Sequence, residues 1–568
     1  LIEDERLMER LGVSELRWPP DFREKKEDPE NAMLTIPAVR FPRWHYCSFC
    51  GTMEKATFYQ QQPRCSKHQW ASGRSCDPKK SGRRMIPDRF VAVCIDGHIE
   101  DFPIAEWVHS DGRHEYNPET CIIRRSTGGA TSMLSGIKYS CSCGAQRSMA
   151  NAMSPNALAS IGYKCKGSKP WLGIEEDTAN PCNRDDLQVM LRGATNVWFP
   201  DTRSSIYIPH DKDSGANRIK TILDNNWIIL SDDGREEYWI RGALGILAAR
   251  DGVDEKELYQ AFIARKKALD NVVSEVNELS EEAYRKAEYQ LLRKSSGGDD
   301  QQFRSIYYPI SEYNEVLHRY FTGISLVPKL RETRAFVGFS RREPKSDNLY
   351  QKKKMLSKKS LNWLPAIEVY GEGIFFEFNS ELLREWASNL FVQERAKKLG
   401  ERYGKSFFTE EKNVNIRAKF ILIHTFAHLL INQLAFECGY GSSSIRERIY
   451  CEKSSDLLDM AGVLIYTASG DSEGSLGGLV RQGKSGRIED TIVAALTNAL
   501  WCTSDPICIQ SSGQGTDSCN LAACHNCAIL PETCCEEGNR LLDRAMVVGT
   551  LEEPDKGFFS DLRNLTWE

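Results

Sequence analysis

The sequence predicts an α+β protein of several domains: strand-bearing modules near the N-terminus, a helical middle and a mixed α/β C-terminal domain. Three observations lead to this. The chain has 568 residues, more than one core serves, so roughly two to four domains are expected. Its apolar pattern changes along the chain, from short β-branched runs bounded by Gly and Pro to stretches with three- and four-residue spacing. Many of its 19 cysteines fall in pairs separated by one or two residues, as small loop-rich modules stapled by a bound ion require.

Composition narrows the class further. Hydrophobic residues at 41% and charged residues at 27% are ordinary for a soluble globular chain. No run of about 18 consecutive apolar residues occurs, so the sequence offers no obvious bilayer span and no membrane partner. An odd cysteine count with close pairing favours thiolate metal sites over long-range disulfides, and with them a reducing cytoplasm. The net charge of −5 and pI near 6.2 exclude a general nucleic-acid coat, which needs surplus Lys and Arg at the phosphates. Any DNA contact is then local or supplied by a partner.

Residues 1–40 carry charge runs and four prolines and read as an extended arm. The stretch 41–200 reads as two zinc-ribbon-like modules with strands. The first opens on Cys47-Ser-Phe-Cys50-Gly51, a knuckle in which glycine lets backbone amides turn toward a thiolate. Cys65 and Cys76 are its expected second pair, with Cys94 or His98 able to replace one of them. The run 86–93 is a strand candidate, and His98, Glu100 and Asp101 after it read as a polar turn rather than a catalytic set. The second module draws on Cys141, Cys143, Cys165 and Cys182, beside Gly and Pro turns.

The region 201–325 reads as helical, with helices expected over 255–269 and 274–294 and a flexible loop after them. From 326 to 568 the pattern is mixed. Residues 363–378 suggest a β-hairpin with Gly371 and Gly373 at its turn. Upstream, Lys352, Lys353 and Lys354, with Arg341 and Arg342 nearby, are the candidate nucleic-acid contacts, set against a solvated loop. Helical spacing returns over 381–399, 413–436 and 488–500, and 462–467 reads as a buried strand.

Within the helix 413–436, His424 and His428 share one face. The Glu that gives a zinc protease its base is replaced by Thr425, so core histidines are the favoured reading. The rival reading is a metal-dependent nuclease or hydrolase that adds Asp471 and Glu473 from a glycine-rich loop. Residues Gly478 to Ser485 formally match a phosphate loop, but the preceding strand is too far away. Cys508, Cys524 and Cys527 form a last thiolate group. The fourth ligand is open: Cys535 would begin a helix whose positive end favours a thiolate, and Cys534 and Cys519 are held in reserve.

Four segments together resemble a known family: His424-Thr-Phe-Ala-His-Leu-Leu-Ile, Gly439-Tyr-Gly-Ser-Ser-Ser-Ile-Arg-Glu-Arg-Ile-Tyr, Gly470-Asp-Ser-Glu-Gly-Ser-Leu-Gly-Gly-Leu and Ala522-Ala-Cys-His-Asn-Cys-Ala-Ile-Leu-Pro-Glu-Thr-Cys-Cys-Glu. They are similar to the MrfA-type zinc-binding domain that follows the motor in certain superfamily-two helicases. Here neither a convincing phosphate loop nor a D-E-x-H box precedes it. With Arg89-Phe-Val-Ala-Val-Cys-Ile-Asp-Gly-His-Ile-Glu-Asp-Phe-Pro and Leu330-Arg-Glu-Thr-Arg, the chain resembles the DrmB family of the bacterial DISARM anti-phage systems. The resemblance implies a DrmA-like helicase as partner in a heterodimer, DNA bound within that complex, and an accessory subunit without catalytic activity of its own. It carries the family's four-cysteine site onto Cys508, Cys524, Cys527 and Cys535. With the two upstream groups, about three structural zinc ions are expected, one per set of four thiolates.

Overall fold

The computed structural model describes residues 1–20, 33–65, 76, 82–128, 133–209, 219, 222–223, 226–227, 229–230, 236–270, 281–296, 300–342, 349–359, 361–406, 415–441, 443–455, 457–467 and 478–564. The fold is α+β, and the chain forms two compact units. One contains residues 1–17, 204–335 and 366–568, and the other contains 18–203 and 336–365.

The first unit is built on a seven-stranded sheet. Its main path runs Phe199–Ile206, Phe321–Ser340, Trp363–Phe378, Gly462–Thr467, Ile445–Tyr450, with Glu15–Arg17 pairing on Trp363–Phe378 and Arg304–Pro309 on Phe321–Ser340. The strand Gly462–Thr467 is buried on both faces except at its last residue and reads as a nearly unbroken apolar run. Ile374, Phe376, Val463 and Ile465 point to one core, while Phe375, Leu464 and Tyr466 point to another, where Tyr289 and Leu292 of the helix Glu281–Leu292 pack.

Trp363–Phe378 is one continuous strand, not the expected hairpin. Its glycines serve close approach instead of a turn. A Cβ on Gly371 would sit 1.6 Å from the Thr467 carbonyl oxygen, and one on Gly373 would sit 2.9 Å from Cβ of Tyr466.

The helix Ala418–Cys438 lies against the first face and is apolar nearly all round, with every residue from Ala418 to Ile431 buried. It is long and apolar enough to cross a membrane by length and composition, and 72% of its most apolar window is buried inside the protein. Around it pack Ser380–Ala387, Leu390–Tyr403, Ile488–Ala499 and Arg544–Val548. The expected helix over 381–399 is thus two helices, because the Asn389 side chain accepts from the Phe391 amide and starts a new one.

Residues 1–17 are folded rather than an extended arm. The helix Glu5–Leu11 is capped by Asp4, buries Leu7 and Leu11, and ends at Gly12 in the left-handed region, φ 56°. Arg6 reaches Glu288 at 2.6 Å and Arg10 pairs with Glu281. The charge runs from 21 to 32 lie outside the described residues.

The second unit holds three separate three-stranded antiparallel sheets in place of two ribbons: Gln188–Leu191/Phe90–Val93/Ile99–Asp101, Met53–Lys55/Trp44–Tyr46/Ile86–Pro87 and Ile123–Thr127/Ile137–Cys141/Gln146–Ser148. They share a small core around Phe90, Phe102, Trp107 and Tyr139, whose hydroxyl donates to buried Asp88 at 2.5 Å. Glu100 accepts from Tyr163 and the Lys166 amide, and Asp101 from the Arg43 amide, so both act as internal braces.

Candidate metal centres

Every described cysteine is a free thiol, yet most are gathered in fours. In the first group the Sγ atoms of Cys47 and Cys76 lie 3.9 Å apart and those of Cys50 and Cys65 lie 3.7 Å apart. A disulfide needs about 2.05 Å. Two thiolates on one tetrahedral zinc, each at about 2.3 Å, stand about 3.8 Å apart. The spacing therefore fits a shared ion. Local sequence builds the knuckle: Gly51, at φ 73°, donates its amide to the Cys47 carbonyl at 2.8 Å, and a Cβ there would meet the Arg125 carbonyl oxygen at 2.4 Å. All four residues grouped from sequence spacing come together here.

The four residues assigned to a second site do not share one. Cys165 and Cys182 join Cys94 and His98, whereas Cys141 and Cys143 join His109 and Cys121. The cause is topological. Cys94 and His98 flank the turn between Phe90–Val93 and Ile99–Asp101, while Cys141 ends a strand of a different sheet.

In the first of these groups Cys94 and Cys182 are 3.7 Å apart, and His98 Nδ1 lies 3.7 Å from Cys165 Sγ. The amides of Asp96 and Gly167 donate to the Cys94 and Cys165 sulfurs at 3.4 Å. The hydrogen bond between Cys94 and Cys165 pulls the Cys94 thiol down and pushes the Cys165 thiol up, so the pair shares one proton that a bound metal would displace. In the other, His109 donates Nδ1–H to the Ala105 carbonyl at 2.7 Å, leaving Nε2 at 3.3 Å from Cys143 Sγ. That arrangement fixes the tautomer of a ligating imidazole. The C-x₃-H spacing around Gly97 was a usable signal for His98; isolated Cys121 and His109 carried none.

The C-terminal thiolate group consists of Cys502, Cys508, Cys524 and Cys527. Sγ separations are 3.5 Å for Cys502–Cys524, 3.8 Å for Cys508–Cys527 and 3.7 Å for Cys524–Cys527. The Cys508 thiol is pulled down to about 5 by its hydrogen bond with Cys527. A charged brace holds the loop: Arg544 donates to Asp505 at 2.7 and 2.9 Å, and Asp505 accepts from the Cys502 and Ile509 amides. Cys502 thus takes the place expected for Cys535, and Cys519 and Cys534 are buried outside the group. No helix starts at Cys535, which turns inward to His424, His428 and Glu447.

The basic candidates are mostly committed internally. Arg341 is buried and donates to the carbonyls of Gly97 and Val197 at 2.9 and 2.7 Å, with its guanidinium 5.0 Å from the Trp171 ring centre. Arg342 donates to the Asp186 carbonyl, and buried Lys352 pairs with Asp201. Burial lowers the half-buried Lys353 below its ordinary value, and the side chain of Lys354 lies outside the described residues.

The formal phosphate loop is also committed. It forms the short helix Gly478–Gln482, whose Leu479 and Val480 amides donate to buried Glu372 at 3.0 and 3.3 Å. A carboxylate of the protein occupies the donors a phosphate would need. Asp471 and Glu473 lie outside the described residues, and His424 and His428 have no exposed surface.

Residues 1–199 match the family described as Domain of unknown function (DUF8724), and residues 426–528 match the MrfA Zn-binding domain. A protein of Bacillus paralicheniformis named "DISARM protein DrmB" is 31% identical over 99% of this chain and 96% of its own length.

Proposed function

This chain belongs to the DrmB family, and we propose that within a DISARM defence system it is a zinc-braced, non-catalytic subunit. In this reading it pairs with a DrmA-like superfamily-two helicase in the cytoplasm and helps that helicase hold DNA. The similarity over nearly the whole chain to a DISARM protein carries the reading.

Closed metal sites support it. Each of the four cysteine-rich groups offers four ligands, which fill a tetrahedral zinc and leave no position for a substrate. Donors that could cradle a phosphate are bound by Glu372. A net charge of −5 and internally paired Arg341 and Lys352 favour a DNA grip shared with the partner over one made alone.

Helicase binding to duplex and single-stranded DNA, measured with and without this chain, tests the reading. Tighter DNA binding in the presence of the chain is expected. Unchanged binding, or divalent-dependent cleavage of DNA by this chain alone, would overturn it.

A further inference from the structure

We propose that His424, His428, Glu447 and Cys535 hold an additional metal ion, a closed zinc site unlike the cysteine-rich ones and independent of the helicase-partner reading. The two histidines lie one turn apart on the helix Ala418–Cys438, Glu447 lies on the strand Ile445–Tyr450, and Cys535 follows the C-terminal cysteine group. Their ligand atoms all lie within 4.8 Å of one another. None reaches solvent freely: the two imidazoles are 0% exposed, Glu447 1% and Cys535 8%.

Hydrogen bonding leaves a conflict that a cation resolves. His428 donates Nδ1–H to the Ala528 carbonyl at 2.7 Å, so in the neutral ring Nε2 is a bare lone pair. That atom has no hydrogen-bond partner and faces Oε1 of Glu447 at 3.6 Å. His424 Nε2 lies 3.1 Å from the same carboxylate oxygen and 3.2 Å from Cys535 Sγ, and one N–H cannot serve both fully. Glu447 Oε1 also accepts from the Glu536 amide at 3.2 Å, and Cys535 Sγ from the Asn539 amide at 3.2 Å. Main-chain donors thus fix the orientation of both groups, as the hydrogen-bond partners of metal ligands do.

With a neutral His428 ring the pocket would bury a bare imidazole nitrogen against a carboxylate oxygen, two acceptors facing each other, an arrangement proteins rarely tolerate. Zinc at the centre, with N and O at about 2.0–2.1 Å and S at about 2.3 Å, sets ligand separations of about 3.3–3.6 Å. The observed separations of 3.1, 3.2 and 3.6 Å lie close to those values. Two imidazoles, a carboxylate and a thiolate suit a borderline-soft ion, and four ligands without solvent access make the site structural. Its effect is to clamp three elements far apart in sequence, His424 and Cys535 being separated by 111 residues.

Anomalous diffraction above and below the zinc edge, on crystals of the full-length protein purified without added chelator, tests the proposal. A peak between the four ligand atoms is expected, beside peaks at the cysteine-rich groups. Peaks at those groups with none between His424, His428, Glu447 and Cys535 would overturn it. In solution, Cys535→Ser and His428→Gln should each lower the bound zinc by about one equivalent per chain; folded variants that keep the full wild-type content would contradict the assignment. Because the diffraction experiment uses the unaltered protein, it decides the question even where a variant fails to fold.

Discussion

Glu288 shows how strongly single side chains are committed in this fold. It is fully buried and receives Arg448 at 2.7 and 3.0 Å, Arg6 at 2.6 Å, the Tyr450 hydroxyl at 3.1 Å and the Ile206 amide at 3.2 Å. Burial opposes its charge, but Arg448 and Arg6 overcome this and hold the carboxyl below its ordinary value. Glu288→Ala leaves Arg448 buried without its counter-charge and should cost about 3–5 kcal/mol in urea unfolding. The linked pH effect follows the depressed pKa. This contribution is fully present above the unfolded carboxyl value of about 4.3 and is lost as pH falls through the lower folded value. Arg341, in turn, should behave as a core residue. Arg341→Met is expected to lower the melting temperature while leaving the salt dependence of DNA binding by the complex unchanged, because its donors already serve Gly97 and Val197.

At the scale of elements, close cysteine spacing was readable and distant partners were not. Cys47 with Cys50 and Cys524 with Cys527 announce themselves by two-residue spacing. Cys121 and Cys502 stand alone in sequence, and only the packing of sheets and loops brings them to their groups. Cys535 was misplaced for the same reason, since adjacency to the C-x-x-C pair says nothing of which way its loop turns. Metal analysis separates the assignments: Cys502→Ser should lose about one zinc equivalent, and Cys519→Ser none, by the four-ligand rule.

Gly371 teaches a related lesson. Glycine marks turns and close strand approach alike, and the sequence could not distinguish them. Gly371→Ala would drive a methyl into the Thr467 carbonyl and should destabilise the sheet by about 1–3 kcal/mol or more, read by thermal unfolding.

For the whole molecule, the α+β class, the buried strand Gly462–Thr467 and the helix Ile488–Ala499 were legible because each has an unambiguous period. The division into units was not. Strands from residues 15, 199, 304, 321, 363, 445 and 462 onward share one sheet, and such long-range pairing leaves no mark in local composition. The resulting molecule is braced from within, with its metal-ligand groups closed and its phosphate-loop donors bound to its own carboxylate. Its proposed role is therefore to complete a partner. The most direct test is the mass of the species formed when this chain is mixed with a DrmA-like superfamily-two helicase, measured by light scattering during size-exclusion chromatography. A single peak at the mass of a one-to-one heterodimer is expected, and two peaks at the separate masses, unchanged by added DNA, would contradict the account.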